Sequence, residues 1–454
     1  MALIKSISGI RGTIGGKPGD NFTPVDVVEC TAGLGVWMGR KNNNKRVIVG
    51  RDGRISGTIV SNLAVNTLLS MGIDVVDLGL TTTPTAEMMV PHLQGGAGII
   101  FTASHNPKQW NALKFLNSDG EFISARDGQE IIDIINNKDL EFADIDHLGT
   151  YTTYSTALQY HIDQILKYKH INISGIRNSN FHVVIDCINS TGALALPPLL
   201  EALGVKFILL NDNHFGHFAH NPEPLPQHLI ELSKTVVDQK AHLGISVDPD
   251  VDRLAFVCED GSMFGEEYTL VAVADYILGR EKGNTVSNLS STRALSDVTA
   301  KHGGMYNASA VGEVNVVLEM KRTNAIIGGE GNGGVIIPDL HYGRDALAGI
   351  VVFLSLLAEK NISMTQLKST YPSYEIIKDK FDLTPEINIK KIIRDIKTAF
   401  KNEKLNDSDG IKIDFAEGWV HLRKSNTEEI VRIYAEAKSR ELAEILISRV
   451  KSVI

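Results

Sequence analysis

Cysteine is scarce in this 454-residue chain. There are three, Cys30, Cys187 and Cys258, an odd number without metal-ligand spacing. Cys187 and Cys258 each sit in an apolar run, so buried free thiols in a reducing cytosol are expected rather than a disulfide framework. Positive charge is not in excess either. Lys and Arg number 45 against 54 Asp and Glu, a formal net charge of −9. That argues against a protein that neutralises nucleic-acid phosphates over its whole surface, while allowing a small positive pocket. Long hydrophobic runs are missing: the longest, Ala346–Ala358, falls short of the roughly 20 residues a bilayer span needs and reads as a buried helix. The N-terminal stretch MALIKSISGIRG has no apolar segment of signal-peptide length. Heptads, low-complexity tracts and Cys/His clusters are absent as well. The expectation is a cytoplasmic, multidomain chain with no nucleic-acid or membrane partner.

What is present is globular. At 43% hydrophobic and 22% charged the chain can bury a core in each of about three or four domains. Short β-branched runs alternate with helical stretches. Lys45–Gly50, Asp74–Gly79 and Gly98–Thr102 read as strands, and Ser56–Met71 between the first two has helical apolar spacing. The rhythm recurs with strands at His182–Asp186, Val205–Asn211 and His242–Val247, a helix near Ala193–Leu203, and again from Asn284 to Ile337. This predicts three α/β units with sheets covered on both faces. The last 80 or so residues differ. Helical stretches near Ile387–Phe400 and Thr427–Val453 flank short strands at Gly410–Phe415 and Trp419–Arg423, with a further strand at Glu429–Glu436, giving a small α+β domain. Boundaries near 150, 255 and 370 divide the chain into segments 1–150, 151–255, 256–370 and 371–454.

Polar, charged or glycine-rich clusters follow the buried strands, where ligands bind in open α/β sheets. In Thr102-Ala-Ser104-His105-Asn106-Pro107, a hydroxyl beside an imidazole reads either as a nucleophile or as a turn bonding its own backbone. In Asp248-Pro-Asp250-Val-Asp252-Arg253, three carboxylates at alternate positions need an ion or strong donors against their repulsion, or else form a solvated acidic turn. A calcium-binding EF-hand is excluded: Arg253 stands at the sixth position where the sharp turn requires Gly, and Leu254–Cys258 is an apolar strand. Mg²⁺ on a loop between two strands is the expectation. Gly328-Gly-Glu330-Gly-Asn332-Gly-Gly334 matches the dinucleotide glycine pattern only formally, because a strand and not a helix follows. It suits hydroxyl recognition, or a plain hairpin. Arg423-Lys-Ser425-Asn426-Thr427, followed by Arg432, reads as a phosphate cradle or as a basic surface turn.

Taken together and in this order, these clusters resemble the α-D-phosphohexomutase superfamily, which includes phosphoglucomutases, phosphomannomutases and phosphoglucosamine mutases. The resemblance runs over essentially the whole chain, beginning at Ser8-Gly-Ile-Arg11-Gly. It implies an α/β architecture of three related domains and a smaller α+β C-terminal domain around a central cleft. By the same resemblance Ser104 matches the phosphoserine, which carries a covalent phosphate and completes a Mg²⁺ site made by Asp248, Asp250 and Asp252. Arg253 matches a contact to the transferring phosphoryl group, and Arg11 and Lys114 match basic residues near the reacting oxygen, Lys114 being a candidate for proton transfer. His105, Glu330 and Asn332 match sugar-binding positions; Arg423, Ser425, Asn426, Thr427 and Arg432 match the phosphate-holding loop. The implied activity is exchange of phosphate between two positions of a small-molecule hexose phosphate, with a hexose bisphosphate as intermediate and activator, and a homodimer is left open. Val311-Gly-Glu313 and the G-E-G-N-G-G form resemble phosphoglucosamine mutases, and Gly334 stands where the glucose and mannose branch often has His. The expected substrate is glucosamine phosphate, the alternative a neutral hexose phosphate. A non-catalytic sugar-phosphate sensor on the same fold is the reading from another class; it would not need Ser104, three aspartates and Arg253 together.

Overall fold

The β-branched runs fold as buried strands. Arg46–Arg51 pairs in parallel with both Asp74–Leu80 and Ala97–Phe101, and every residue of the last is buried, as continuous apolar runs covered on both faces require. The helix Gly57–Ser70 connects the first two and turns Val60, Ala64 and Leu68 into the core beneath them. In this computed structural model, residues 3–6, 9–42, 44–383, 388–425 and 430–453 are described.

The first compact unit is Met1–Thr269 with Asn332–Gln366. It holds a seven-stranded sheet in the order Leu3–Ser6, Gly9–Thr13, Trp110–Leu116, Ala97–Phe101, Arg46–Arg51, Asp74–Leu80, Tyr151–Thr153. Gly9–Thr13 lies antiparallel to Trp110–Leu116 with Arg11 opposite Ala112, which brings Arg11 and Lys114 to adjacent strands. The same unit holds a four-stranded sheet ordered Leu254–Cys258, Leu243–Val247, His182–Asp186, Lys206–Leu210. Its first pair is antiparallel with Val247 opposite Leu254, so the D-P-D-V-D-R sequence is the short connection between two neighbouring strands. The apolar run becomes the helix Ala346–Lys360, in which every residue from Ala346 to Leu357 is buried and Phe353 stacks on Phe256. Among the described residues no helix is long and apolar enough to cross a membrane.

The second unit is Leu270–Gly331 with Leu367–Ile454. Tyr306–Ser309, Asn284–Asn288 and Ala325–Glu330 pair in parallel in that order. An antiparallel sheet follows, ordered Glu375–Asp382, Ile430–Ala437, Gly418–Lys424, Ile411–Asp414, Lys404–Asn406. The helices Ile389–Ala399 and Arg440–Lys451 cover it through Ile392, Ile396, Ala443, Leu446 and Val450. The helix expected from Thr427 therefore starts only at Arg440, where the Ser439 side chain caps it by accepting the Leu442 N–H. The preceding alternation I-V-R-I-Y-A-E-A is strand throughout. Glu375–Asp382, a half-exposed edge strand with few apolar residues, has no hydrophobic run to announce it. All three cysteines are buried and unbridged.

Candidate active site

In the first unit Ser104 sits at the carboxyl end of Ala97–Phe101 with φ at 49°, a left-handed conformation unusual for a residue with a side chain. Its N–H donates to Thr102 Oγ1, and Thr102 donates to the buried carboxylate of Asp52. Arg54 completes the support. Its Nε donates to Asp52 Oδ2 at 2.9 Å, and its terminal nitrogens donate to the carbonyls of Ser104, Asn106, Pro107 and Trp110. A single buried guanidinium thus gathers the whole T-A-S-H-N-P turn and leaves Ser104 Oγ pointing inward, 2.6 Å from Asp248 Oδ2.

The aspartate loop is held with equal care. Val251 takes φ of 61°, costly for a β-branched residue, and this turn sets Asp250 and Asp252 beside Asp248. Pro249 O accepts hydrogen bonds from Ser190 and Thr191, and Asp248 Oδ1 accepts the N–H groups of Asp252 and Arg253. Thr83 donates to Asp250 Oδ2 from the start of the helix Thr83–His92. Lys114 Nζ lies 2.9 Å from Asp250 Oδ2 and 3.6 Å from Asp252 Oδ2, and Arg344 reaches Asp252 Oδ2 at 2.7 Å.

The three aspartates are fully buried, and one carboxylate oxygen from each lies within 4.8 Å of the others. Burial and the charges of Asp252 and Asp250 push the Asp248 carboxyl well above the usual range. At Asp250 burial acts in the same direction, but Lys114 and Thr83 overcome it and hold the carboxyl low. Lys114 in turn is a firm cation, because Asp250 and Asp252 outweigh its burial. Even with these donors, Asp250 Oδ1 and Asp252 Oδ1 are buried with no hydrogen-bond partner among the described residues. An oxygen-only set with unsatisfied buried carboxylate oxygens fits a hard divalent cation such as Mg²⁺.

Around Ser104 the field is positive. Burial and the neighbouring Arg253, Arg11, Arg344 and Lys114 push the His105 imidazole well below its usual value, so it is neutral at pH 7, with Nδ1 3.5 Å from Ser104 Oγ. Arg11 donates to Asn106 Oδ1 and is lowered by burial and by Arg253. Arg253 pairs with Glu223 at 3.3 Å. Four cations acting on His105, next to Ser104, make a place for an anion.

The structure thus brings Arg11, Ser104, His105, Lys114, Asp248, Asp250, Asp252 and Arg253 together in one unit. Asn332 belongs to that unit too, its Oδ1 accepting the Gly334 N–H. A side chain at Gly334 would strike Arg344, which is why a glycine there goes with an arginine on Asp252.

Glu330, Arg423, Ser425 and Arg432 lie in the second unit; Asn426 and Thr427 lie outside the described residues. Glu330 Oε1 accepts from Asn288 Nδ2 and from the Gly312 N–H, so the V-G-E segment rests against Glu330. Asp409 accepts both the Val311 N–H and Arg423 Nε and ties that segment to the basic loop. Arg423, paired with Asp409, stands opposite Arg432 on adjacent strands.

Sequence reasoning missed Asp52, Arg54, Thr83, Arg344 and Asp409. For Asp52 and Arg54 a signal was available: R-D-G-R directly follows the strand Arg46–Arg51, the position that drew notice to the other clusters.

Comparison with known proteins agrees with this geometry. Residues 3–142, 159–261 and 265–374 match alpha/beta/alpha domains I, II and III of the family described as phosphoglucomutase/phosphomannomutase, and 383–452 match its C-terminal domain. The chain is 33% identical over 440 residues to the "Probable phosphoglucosamine mutase" of Methanopyrus kandleri, covering 96% of this chain and 94% of that protein. It is 32% identical to a "Phosphoglucomutase/phosphomannomutase" of Thermococcus kodakarensis, covering 95% of each. A solved phosphoglucomutase/phosphomannomutase family protein of Burkholderia thailandensis shares the fold, with a TM-score of 0.87 at 23% identity over 99% of this chain and 96% of that one.

Proposed function

The chain belongs to the phosphoglucomutase/phosphomannomutase family, and from that premise we propose that it interconverts glucosamine 6-phosphate and glucosamine 1-phosphate. It is a phosphohexomutase, an isomerase that works by intramolecular phosphoryl transfer. The observation that carries the reading is Ser104 Oγ, held 2.6 Å from Asp248 of a buried three-aspartate loop, with Arg11, Lys114, Arg253 and Arg344 acting on the adjacent His105.

In this reading Ser104 is the phosphoryl carrier. The bond from phosphorus to Ser104 Oγ breaks as one forms to a sugar hydroxyl, and in balance the hydroxyl's proton replaces the phosphoryl group on Ser104 Oγ, with the Lys114 ammonium as the proton donor in that exchange. The resulting hexose bisphosphate turns around. Its other phosphoryl group moves to Ser104 Oγ, and the isomerised sugar phosphate leaves with no net consumption of phosphate. Such a transfer needs alignment and charge neutralisation more than covalent help. Asp248, Asp250 and Asp252, with an oxygen on Ser104, would hold Mg²⁺, which supplies Lewis-acid neutralisation of the transferring oxygens. Arg253 and Arg11 bind the phosphoryl oxygens, and His105 orients the sugar phosphate beside them. Glu330 and Asn332 take sugar hydroxyls, and Arg423, Ser425, Asn426, Thr427 and Arg432 hold the non-reacting phosphate. The sequence segments divide near 150, 255 and 370 into four domains.

The amino sugar is favoured by Glu313. It opens the helix Glu313–Thr323 directly after Gly312, whose N–H donates to Glu330, and a carboxylate at that point of the chain would suit an ammonium. The name of the Methanopyrus relative points the same way. The name of the Thermococcus relative supports the second reading, action on neutral hexose phosphates. Comparing kcat/KM for glucosamine, glucose and mannose phosphates, with Mg²⁺ and a bisphosphate activator, separates them. A preference of at least tenfold for glucosamine phosphate is expected. Equal or better use of glucose or mannose phosphate would favour the second reading, and no turnover of any of the three would sink both.

A further inference from the structure

We propose that His161, His341 and Asp345 form a second metal site, separate from the aspartate loop, that takes one divalent ion of the zinc type. All three belong to the first unit. His161 comes from the helix Ala157–Lys167, and Asp345 is the N-cap of Ala346–Lys360, with His341 one turn before it. One ligand atom from each lies within 4.8 Å of the others. Asp345 Oδ2 is 2.9 Å from His161 Nε2 and 3.3 Å from His341 Nε2. The two rings stand at 89° with centroids 6.1 Å apart, so both Nε2 atoms approach one oxygen without the rings colliding. Ligands bound tetrahedrally at about 2.0–2.1 Å from a zinc ion are themselves roughly 3.3 Å apart, so both distances to Asp345 Oδ2 are within a few tenths of an ångström of what an ion needs.

The groups behind the ligands strengthen the case. An imidazole that binds metal through Nε2 keeps its proton on Nδ1, and that proton is normally given to a carboxylate or other oxygen. His161 Nδ1 is 2.9 Å from Thr85 Oγ1, and His341 Nδ1 faces Glu87 Oε2 at an ion-pair distance of 3.3 Å without hydrogen-bond geometry. Asp345 Oδ1 accepts the Ala348 N–H, which fixes the carboxylate and turns Oδ2 toward the two rings. The helix Thr83–His92 thus stands behind both imidazoles, and the first turn of Ala346–Lys360 fixes Asp345.

Charge and access agree. Asp345 and Glu87 are buried carboxylates that require positive charge close by. A divalent ion held by the two rings and Asp345 supplies that charge. His161 is sealed, while His341 keeps about 10% of its side chain exposed and gives the ion a way in. Two imidazoles with one carboxylate select zinc-like ions, whereas the oxygen-only aspartate loop selects Mg²⁺. The two sites are chemically distinct.

The test is a Co²⁺ titration of the chelator-stripped full chain in excess Mg²⁺, read by visible absorption, with Zn²⁺ as competitor. Wild-type protein should develop ligand-field bands that saturate at about one equivalent and disappear on adding Zn²⁺. Asp250→Asn should keep these bands, while His161→Gln and His341→Gln should each weaken Co²⁺ binding at least tenfold. The proposal is overturned if wild-type protein shows no bands, if His341→Gln titrates like wild type, or if only Asp250→Asn loses them. Should the histidine variants fail to fold, the wild-type and Asp250→Asn titrations still decide.

Discussion

Ser104 Oγ donates a hydrogen bond to Asp248 Oδ2 at 2.6 Å across 144 residues of sequence. This contact joins two loops that end strands of different sheets, and it places a hydroxyl against a carboxyl that burial and its aspartate neighbours push up. The Ser104 hydroxyl and the three carboxylates are therefore one buried constellation.

Ser104→Ala should abolish mutase turnover, lowering kcat at least a thousandfold, equivalent to about 4 kcal/mol of transition-state stabilisation. The fold should persist, since Arg54 holds the turn by backbone carbonyls that alanine retains. Mass spectrometry should find a covalent phosphate on wild-type Ser104 and none on the variant. Wild-type activity in a clean Ser104→Ala preparation would remove the serine from the mechanism.

Asp250→Asn should reduce kcat by a factor of about a hundred or more. It keeps an oxygen for Thr83 yet removes the charge that partners Lys114 and a hard cation. Chelation should stop the wild-type enzyme and Mg²⁺ restore it. Activity that survives exhaustive chelation would make the D-P-D-V-D-R loop a purely structural connection.

Arg54→Lys should cost stability and catalysis together. Lysine keeps the charge beside Asp52 but cannot span the carbonyls of Ser104, Asn106, Pro107 and Trp110. Breaking such a buried arrangement costs about 3–5 kcal/mol. Denaturant melts should show a loss of that order, and kcat should fall further than KM rises, because the turn that aims Ser104 is loosened. An unchanged kcat in the folded fraction would show that Arg54 is irrelevant to aiming the hydroxyl.

His220 predicts a pH dependence of stability. Its Nε2 is 2.7 Å from Asp186 Oδ2 and its Nδ1 2.8 Å from Asn221 O, so both ring nitrogens face acceptors. Burial lowers its pKa, but the Asp186 carboxylate outweighs that and the folded value is raised above 6.5. A raised histidine stabilises the fold fully below the unfolded pKa and loses that contribution as pH rises through the folded one. Urea melts should therefore separate wild type from His220→Gln most at about pH 5.5–6 and least at about pH 9. A gap that grows toward pH 9 would contradict a charged His220.

Arg423→Ala should raise KM for the sugar phosphate about ten- to a hundredfold, the loss of a charge-assisted contact worth roughly 1.5–3 kcal/mol. Both directions of the reaction should suffer alike, since either phosphate of the intermediate would use the same loop. The phosphate on Ser104 should persist, because the substitution lies in the other unit. Steady-state kinetics in both directions, with mass spectrometry, would check it; an unaltered KM in either direction would place the phosphate grip elsewhere.

Much of this site was readable locally. T-A-S-H-N-P and D-P-D-V-D-R are contiguous, they follow β-branched runs whose strand character is intrinsic, and their chemistry is written in adjacent side chains. The strand Arg46–Arg51, the helix Gly57–Ser70 and the buried helix Ala346–Lys360 follow from apolar period and composition over ten or so residues. Where that signal thins, as in the exposed edge strand Glu375–Asp382, or where a strand runs close to a helix with a cap between them, as before Arg440, local reading missed the strand or misplaced the helix start. Only the tertiary structure decided which buried charge meets which: Arg54 with the Ser104 turn, Arg344 with Asp252, Thr83 with Asp250, Asp409 with Arg423, and His161 with Asp345 at a separation of 184 residues. Sequence determines what each residue can offer. Its partner is determined by desolvation, which penalises a charge or donor only once packing has removed water and so selects partners the linear order cannot show.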